Sequence, residues 1–584
     1  MKVLLLVSAF NGLTQRAWCA LRADGHEVGV QLATDDQAII DTAFSTAPDI
    51  IICPFLKDRV PQQVWQHFRT VIIHPGPIGD RGPSSLDWAI TEALPQWGVT
   101  ALQAIDEMDA GPIWASRTFA MPAVPTRKSE IYNGPVADAA MECIREVVSK
   151  ATDPDFTPVP LAKATVTIPG ARLRPTMTQA DRRFDWTDPA EHIIRRIRAA
   201  DGSPGVRGTL GGRELLLFDA HVGPASRGVT PGSIVAVRHG AVQVTTGDGS
   251  IWIGQVKPAA GTVDGPRIKL PAATVLARQL RGLPRSPGAL TAPAGEHADI
   301  RYRRDGRVGW LSFDFYNGAM STTGCRRLLS ALRHAAAQDT TALVLVSGPS
   351  AFSNGIHLNV VEAGADPAAV AWANIKAINA VCRTIVTMTR QVVVAGMGGS
   401  AGAGGVMLAL GADLIAARDG IVLNPYYDIG LYGSELHTYA LPRRVGHGMA
   451  VQLLQDKLPV DTAGAAHLGL IDAVGPRDYP TYLQWLAEFA AQAATPAESA
   501  RLRAAKLDRL AAIEAPLDAH LARELAEMSL DMFDNRTDFA GARHDFVHKV
   551  RPAVTPARLA MRPRSAVRII RQRGTVPAGE AAVR

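Results

Sequence analysis

The chain has 584 residues, 47% of them apolar and 20% charged, which is too much for one core and too apolar for a disordered polymer. About three or four globular units are expected from that length. The formal charge of +6 does not signal a nucleic-acid surface, because the stretch from Arg551 to the end holds eight arginines and one glutamate and leaves the remainder near neutrality. That tail reads first as a solvated segment, with an anionic-ligand clamp or an acidic partner as the alternatives. The five cysteines (Cys19, Cys53, Cys143, Cys325, Cys382) lie far apart with no C-x-x-C spacing, so no disulfide framework or metal knuckle is written, and a cytoplasmic setting is expected.

In chain order, Lys2–Ser8 reads as a buried strand, Asn11–Leu21 as a helix, and Glu27–Leu32, Ile50–Phe55 and Val71–His74 as further strands. Short apolar runs alternating with helical spacing indicate a doubly wound α/β sheet, here over residues 1–160. The opening apolar run is too short for a signal peptide, and the uncharged stretch 391–412 carries too many glycines for a membrane span. Residues 161–285 are turn-rich, with strands over 215–218, 232–237, 241–246 and 250–256, which predicts a small β-barrel-like module. A proline-rich linker follows at 286–298. An α/β rhythm then resumes over 299–550, with a strand at 308–314, a helix at 325–337, a strand at 342–347, and helices from Tyr479 to about Val550. The basic tail occupies 551–584.

Two constellations carry chemistry. The first is VIIHPGPIGDRGPSSLDWAI, where a buried strand ends at His74 and turns sharply before a capped helix; Asp109 follows in EMDAGPI. Strand ends of an open parallel sheet face the ligand crevice. A histidine and a carboxylate there suit acyl or formyl transfer: imidazole steadies a tetrahedral oxyanion, and the carboxylate orients it or relays a proton. The second comprises the glycine-rich turns SGPSAFSNGIHLN and AGMGGSAGAGGVMLALGAD. Neither is a nucleotide fingerprint. Glycine there permits close backbone approach and frees main-chain N–H groups, the second set at a helix N-terminus, and two such groups converging on one carbonyl oxygen make an oxyanion hole.

His-Pro, D-R-G, W-A-I, GVTA and E-x-D-A-G-P-I together resemble the formyl-tetrahydrofolate-dependent formyltransferases over about residues 1–150. That resemblance implies catalytic roles for His74 and Asp109 and folate contacts from Asp80 and Arg81. One departure stands out: Ile72 occupies the place of the family's asparagine, whose amide helps hold the oxyanion. Gln15, Arg16 or a main-chain N–H are the candidates to replace it. The glycine turns resemble the crotonase (enoyl-CoA hydratase) superfamily over about 299–500. This implies that N–H groups of Ile356 and Gly404 grip a thioester oxygen and that Asn354 sits near the adenine of coenzyme A. The superfamily's two catalytic glutamates fall on Met407 and Tyr426, which makes hydration of an enoyl thioester untenable. Tyr426 and Glu435 in NPYYDIGLYGSELHTY remain as acid/base candidates, with His357 and His437 nearby, and Arg543 and Lys549 are candidates for coenzyme A phosphates.

SAFNGLTQR, FSNGIHLN, LYGSE and FVHKVRPAVTPARLAMRPR, with the fusion itself, resemble the HypX (HoxX)-type hydrogenase-maturation family across nearly the whole chain. The resemblance implies formyl transfer from formyl-tetrahydrofolate to coenzyme A, decarbonylation of formyl-CoA to carbon monoxide for the iron of [NiFe]-hydrogenase, and hydrogenase-maturation proteins as partners. Neither metal, membrane nor nucleic acid is expected. Two rivals stay open: formyl transfer to an amino-sugar nucleotide with a degenerate thioester domain, and a non-catalytic scaffold.

Overall fold

Strands Lys2–Val7 (β1), Glu27–Leu32 (β2), Ile50–Cys53 (β3) and Thr70–His74 (β4) pair in parallel, and the complete burial of β1 follows from its place inside a sheet covered on both faces. The computed structural model describes residues 1–165, 168–226, 228–262, 267–285, 289–291, 297–513 and 515–562. Two longer strands, Gln96–Gln103 (β5) and Ile113–Ala120 (β6), extend the sheet antiparallel, giving the order β2-β1-β3-β4-β5-β6. The antiparallel join matters, because it sets Thr100 opposite His74 and brings the turn carrying Asp109 back beside the end of β4.

Val206–Leu210 (β7), Arg213–Val222 (β8), Ile234–Arg238 (β9), Ala241–Thr245 (β10) and Ser250–Pro258 (β11) form an antiparallel sheet ordered β7-β8-β11-β10-β9, with Leu270–Pro271 (β12) added to β11. Among the described residues its pairings leave it open rather than closed as a barrel. Helix Ala190–Ala199 covers it through Ile193, Ile194 and Ile197. The linker expected at 286–298 lies outside the described residues except for 289–291 and 297–298.

The third sheet is Ile300–Asp305 (β13), Val308–Phe313 (β14), Ala342–Ser347 (β15), Val392–Met397 (β16), Leu414–Arg418 and Ala473–Gly475, parallel from β14 onward. Among the described residues four helices follow the sheet: Tyr479–Ala493, Pro496–Ala511, Leu517–Phe533 and Phe539–His548. The first packs on the sheet through Tyr482, Leu486 and Ala490, the third crosses helix Pro367–Thr387, and the fourth lies on the short helix Leu358–Glu362.

The tail departs from the solvated expectation as far as it is described. Leu559 and Met561 are buried, the Leu559 carbonyl accepts from Val30 N–H at 2.8 Å, and Thr555 Oγ1 accepts from Leu32 N–H at 2.9 Å. The sheet edge at β2 is thereby covered by the C-terminal strap, which removes an exposed edge. The expected basic tail beyond residue 562 lies outside the described residues.

Candidate active sites

Strand β4 delivers His74 into a buried pocket of carboxylates. Its Nε2 lies 2.9 Å from Asp80 Oδ2, and its Nδ1 is 3.6 Å from Asp109 Oδ1. Burial pulls the imidazolium down, but the Asp80 hydrogen bond and the charges of Asp109 and Asp80 outweigh it and hold His74 above its ordinary value. Gly76 is what lets this pair close: a Cβ there would collide with the Asp80 carboxylate, His74 Nε2 and Ser85 Oγ. Asp109 sits at φ +55°, with its Oδ2 accepting from Gly82 N–H at 3.1 Å. Arg81 turns away to Glu107, at 2.5 Å, and to the Met108 carbonyl.

Beside them opens a cavity of about 290 Å³ lined by Leu56, Trp65, Ile72, Ile105, Met108 and Asp109, among others. Ile72 thus offers it an apolar wall. Gln15 and Arg16 have their donors engaged elsewhere: Gln15 Nε2 donates to the Phe10 carbonyl at 3.0 Å. Gln15 Oε1 accepts from Asn424 Nδ2 at 3.1 Å, in the C-terminal half, and Arg16 pairs with Asp138 at 2.7 Å. Both belong to helix Gly12–Ala23, which docks on that half, where Cys19 Sγ reaches the Pro459 carbonyl.

In the C-terminal half the two glycine turns are laced together. Ser353 accepts from Gly402 N–H at 3.0 Å, Gly318 from Asn354 N–H at 2.8 Å, and Asn424 from Ala403 N–H at 2.9 Å. Gly404 opens helix Gly404–Leu410, where the first N–H groups have no carbonyl partner within the helix. Gly355, at φ +70°, brings Ile356 alongside: a Cβ on Gly355 would stand 3.5 Å from Gly404 N. Against Gly404 lies the carboxyl of Glu435, which a Cβ on Gly404 would overlap. Met407 is buried in the same helix and brings no proton-carrying group.

Glu435 is 2% exposed. Its Oε2 accepts from Tyr427 Oη at 2.8 Å and from Ser434 N–H at 3.1 Å, while its own N–H donates to Asn379 Oδ1. Burial pushes its carboxyl up to about 7; the tyrosine bond opposes this and the neighbouring Glu524 adds to it. Glu435 and Leu436 both have positive φ, +64° and +58°, a strained pair that Glu524 holds by accepting from Leu436 N–H and Thr438 N–H. Burial pushes Glu524 up to about 7 as well.

The tyrosine that reaches Glu435 is therefore Tyr427. Tyr426, pushed up to about 12 by burial, turns its hydroxyl to Asn424 Oδ1 at 3.2 Å, and so joins the chain of contacts running to Gln15. Adjacent tyrosines could not be told apart in sequence, and Glu524 and Asn379, from distant helices, gave no local signal. Burial pulls His357 and His437 down to about 4; the first caps helix Leu358–Glu362 and the second faces the Ser434 carbonyl. Asn354 Nδ2 donates to the Asn317 carbonyl. Arg543 is engaged with Glu362 at 2.6 Å, and Lys549 is exposed at the end of the last helix. Between the halves lies a polar cavity of about 580 Å³ whose walls include Arg127, Asp219, Asp314, Tyr316 and His357.

Two family models match: the formyl transferase C-terminal domain over residues 176–264, and enoyl-CoA hydratase/isomerase over 316–553. The chain is 42% identical over 566 residues to the hydrogenase maturation factor HoxX of Bradyrhizobium diazoefficiens, covering 96% of this chain and 97% of that one. It superposes on the crystal structure of HypX from Aquifex aeolicus in complex with tetrahydrofolic acid with a TM-score of 0.90 and 37% identity, covering 97% of this chain and all of the other. A methionyl-tRNA formyltransferase from Myxococcus xanthus is 28% identical over 178 residues, 30% of this chain and 54% of its own.

Proposed function

Because this chain belongs to the HoxX/HypX family of hydrogenase maturation factors, we propose that it moves the formyl group of formyl-tetrahydrofolate onto the coenzyme A thiol and splits the resulting formyl-CoA into carbon monoxide and free coenzyme A. The gas then serves as the ligand of the iron in a [NiFe]-hydrogenase. The observation that carries this reading is Glu435: a carboxyl poised near neutrality and packed against a glycine turn built for a thioester oxygen, where a hydratase would need glutamates that this chain lacks.

At the first site the thiol sulfur attacks the formyl carbon, the C–N bond to folate breaks, and the thiol proton ends on the folate nitrogen. His74, whose protonated form Asp80 and Asp109 favour, is the group that answers the developing oxyanion, which Ile72 cannot assist. Asp109 relays the proton. The adjoining cavity, with Trp65, Leu56, Ile105 and Met108 in its lining, suits a flat pteridine.

At the second site the Ile356 and Gly404 N–H groups hold the formyl oxygen. Ionised Glu435 takes the proton from the formyl carbon; the C–H pair remains on carbon, the C–S pair leaves with sulfur, and sulfur is reprotonated as carbon monoxide departs. Tyr427 steadies the carboxylate. Tyr426, two residues past Asn424 on the same loop, is the second group for returning a proton to sulfur. Asn354 lies beside the adenine, and Lys549 is the basic residue left for the phosphates, since Arg543 is committed to Glu362.

Purified protein mixed with coenzyme A and formyl-tetrahydrofolate should release carbon monoxide, detected with a haem reporter. His74→Ala should stop formyl-CoA production while sparing carbon monoxide release from supplied formyl-CoA, and Glu435→Gln should do the reverse. No turnover by the unmodified protein would discard the reading in favour of a scaffold, and labelled formyl found on an amino sugar would discard it in favour of another acceptor.

A further inference from the structure

The last helix, Phe539–His548, packs against helix Leu358–Glu362 and sets His544 and His548 one turn apart beside Glu362. Nδ1 of His544 is 3.1 Å and Nε2 of His548 3.6 Å from Glu362 Oε1, and the two rings are 4.3 Å apart. All three ligand-type atoms lie within 4.8 Å of one another. The remaining oxygen, Oε2, accepts from Arg543 Nε at 2.6 Å, which fixes the carboxylate's orientation and leaves Oε1 turned to the histidines. His544 is exposed, so an ion and its waters have access from solvent.

We propose that Glu362, His544 and His548 bind one divalent cation of the zinc class per chain, with water completing the coordination. Two imidazoles and one carboxylate favour such an ion over calcium or magnesium, which prefer all-oxygen shells. The nearby Arg543 cation opposes binding and sets the affinity below that of a buried structural zinc site. Helix Leu358–Glu362 begins directly after Ile356 and His357, so the ion fastens the last helix to the segment that follows the first glycine turn. Sequence alone hides the site, because Glu362 and His544 stand 182 positions apart.

The test uses the full chain stripped with chelator, titrated with zinc chloride by calorimetry and with cobalt chloride followed in the visible. One saturable site with cobalt d–d bands is expected. His544→Ala and His548→Ala should each weaken zinc binding by about 10-fold or more, and together abolish the cobalt bands, with melting in chelator unchanged. Glu362→Gln, which keeps the shape of the side chain, should weaken binding in the same way and serves if a histidine variant misfolds. Absence of saturable uptake by the parent chain, or undiminished uptake by the double variant, overturns the proposal.

Discussion

At the scale of residues, the proton affinity of Glu435 is set by four opposed contributions: burial raises it, Tyr427 lowers it, Glu524 raises it, and the Ser434 N–H lowers it. Since the carboxylate is the form that takes up a proton, carbon monoxide release from supplied formyl-CoA should climb as pH rises through about 7. Tyr427→Phe removes a bond made to the ionised form, so the rising limb should move upward by about one unit, measurable as a rate profile under saturating substrate. Tyr426→Phe touches no atom of Glu435 and should leave that limb in place while lowering the rate. Linkage has the opposite sign. Glu435 and Glu524 bind protons more tightly folded than unfolded, so their contribution to stability is greatest in acid and declines between about pH 4.5 and 7.

At the scale of elements, helix Pro496–Ala511 is anchored by one buried ion pair. Lys506 Nζ lies 3.1 Å from Asp413 Oδ2, with both side chains at most 4% exposed, and the same oxygen accepts from Val393 N–H on β16. Arg509 reaches the other oxygen at 3.3 Å. Lys506→Ala would leave the Asp413 carboxylate buried with the outer arginine as the cation nearest it and the Val393 N–H as its other partner, and should cost about 3–5 kcal/mol in urea unfolding. Replacing both residues by apolar ones of similar volume should cost far less, which separates charge burial from lost packing. Helix Leu517–Phe533 is held differently: its buried Glu524 accepts main-chain N–H groups of the strained Glu435–Thr438 turn. The periodicity of these helices was legible in sequence. That one carries a lysine and another a glutamate into the core was not, because only the docked face reveals which polar residue has a partner.

At the scale of the molecule, the halves are joined by specific contacts. Arg127 lies between Glu130, Asp219 and Asp314; Tyr316 Oη donates to Asp201; Gln15 meets Asn424; and the strap from Arg551 to Arg562 crosses the first sheet. Met561 packs against Gly29 and joins the core around Leu4, Leu6 and Ile51. Deleting residues 551–584 should therefore uncover the β2 edge, lower the melting temperature by several degrees and promote association through that edge. Scanning calorimetry and light scattering measure this. Formyl-CoA production should fall, while carbon monoxide release from supplied formyl-CoA, which the proposed mechanism assigns to the other half, should persist.

What the amino-acid order determined alone are the features written in short range: β1 to β4 from their apolar runs, the helices from their spacing, His74 at a strand end, and the glycines that free the Gly404 amide. Each depends on neighbours a few positions away, so periodicity and turn chemistry suffice. Tertiary structure decided which carboxylate meets His74 at 2.9 Å, which tyrosine serves Glu435, that Gln15 and Arg16 belong to the junction, and that the basic tail folds back as a strap. His74 and Asp80 stand only six positions apart and Tyr427 and Glu435 eight, but both pairs meet across irregular turns whose course periodicity does not fix, while Gln15 and Asn424 stand 409 apart; burial, too, arises only when separate elements pack together.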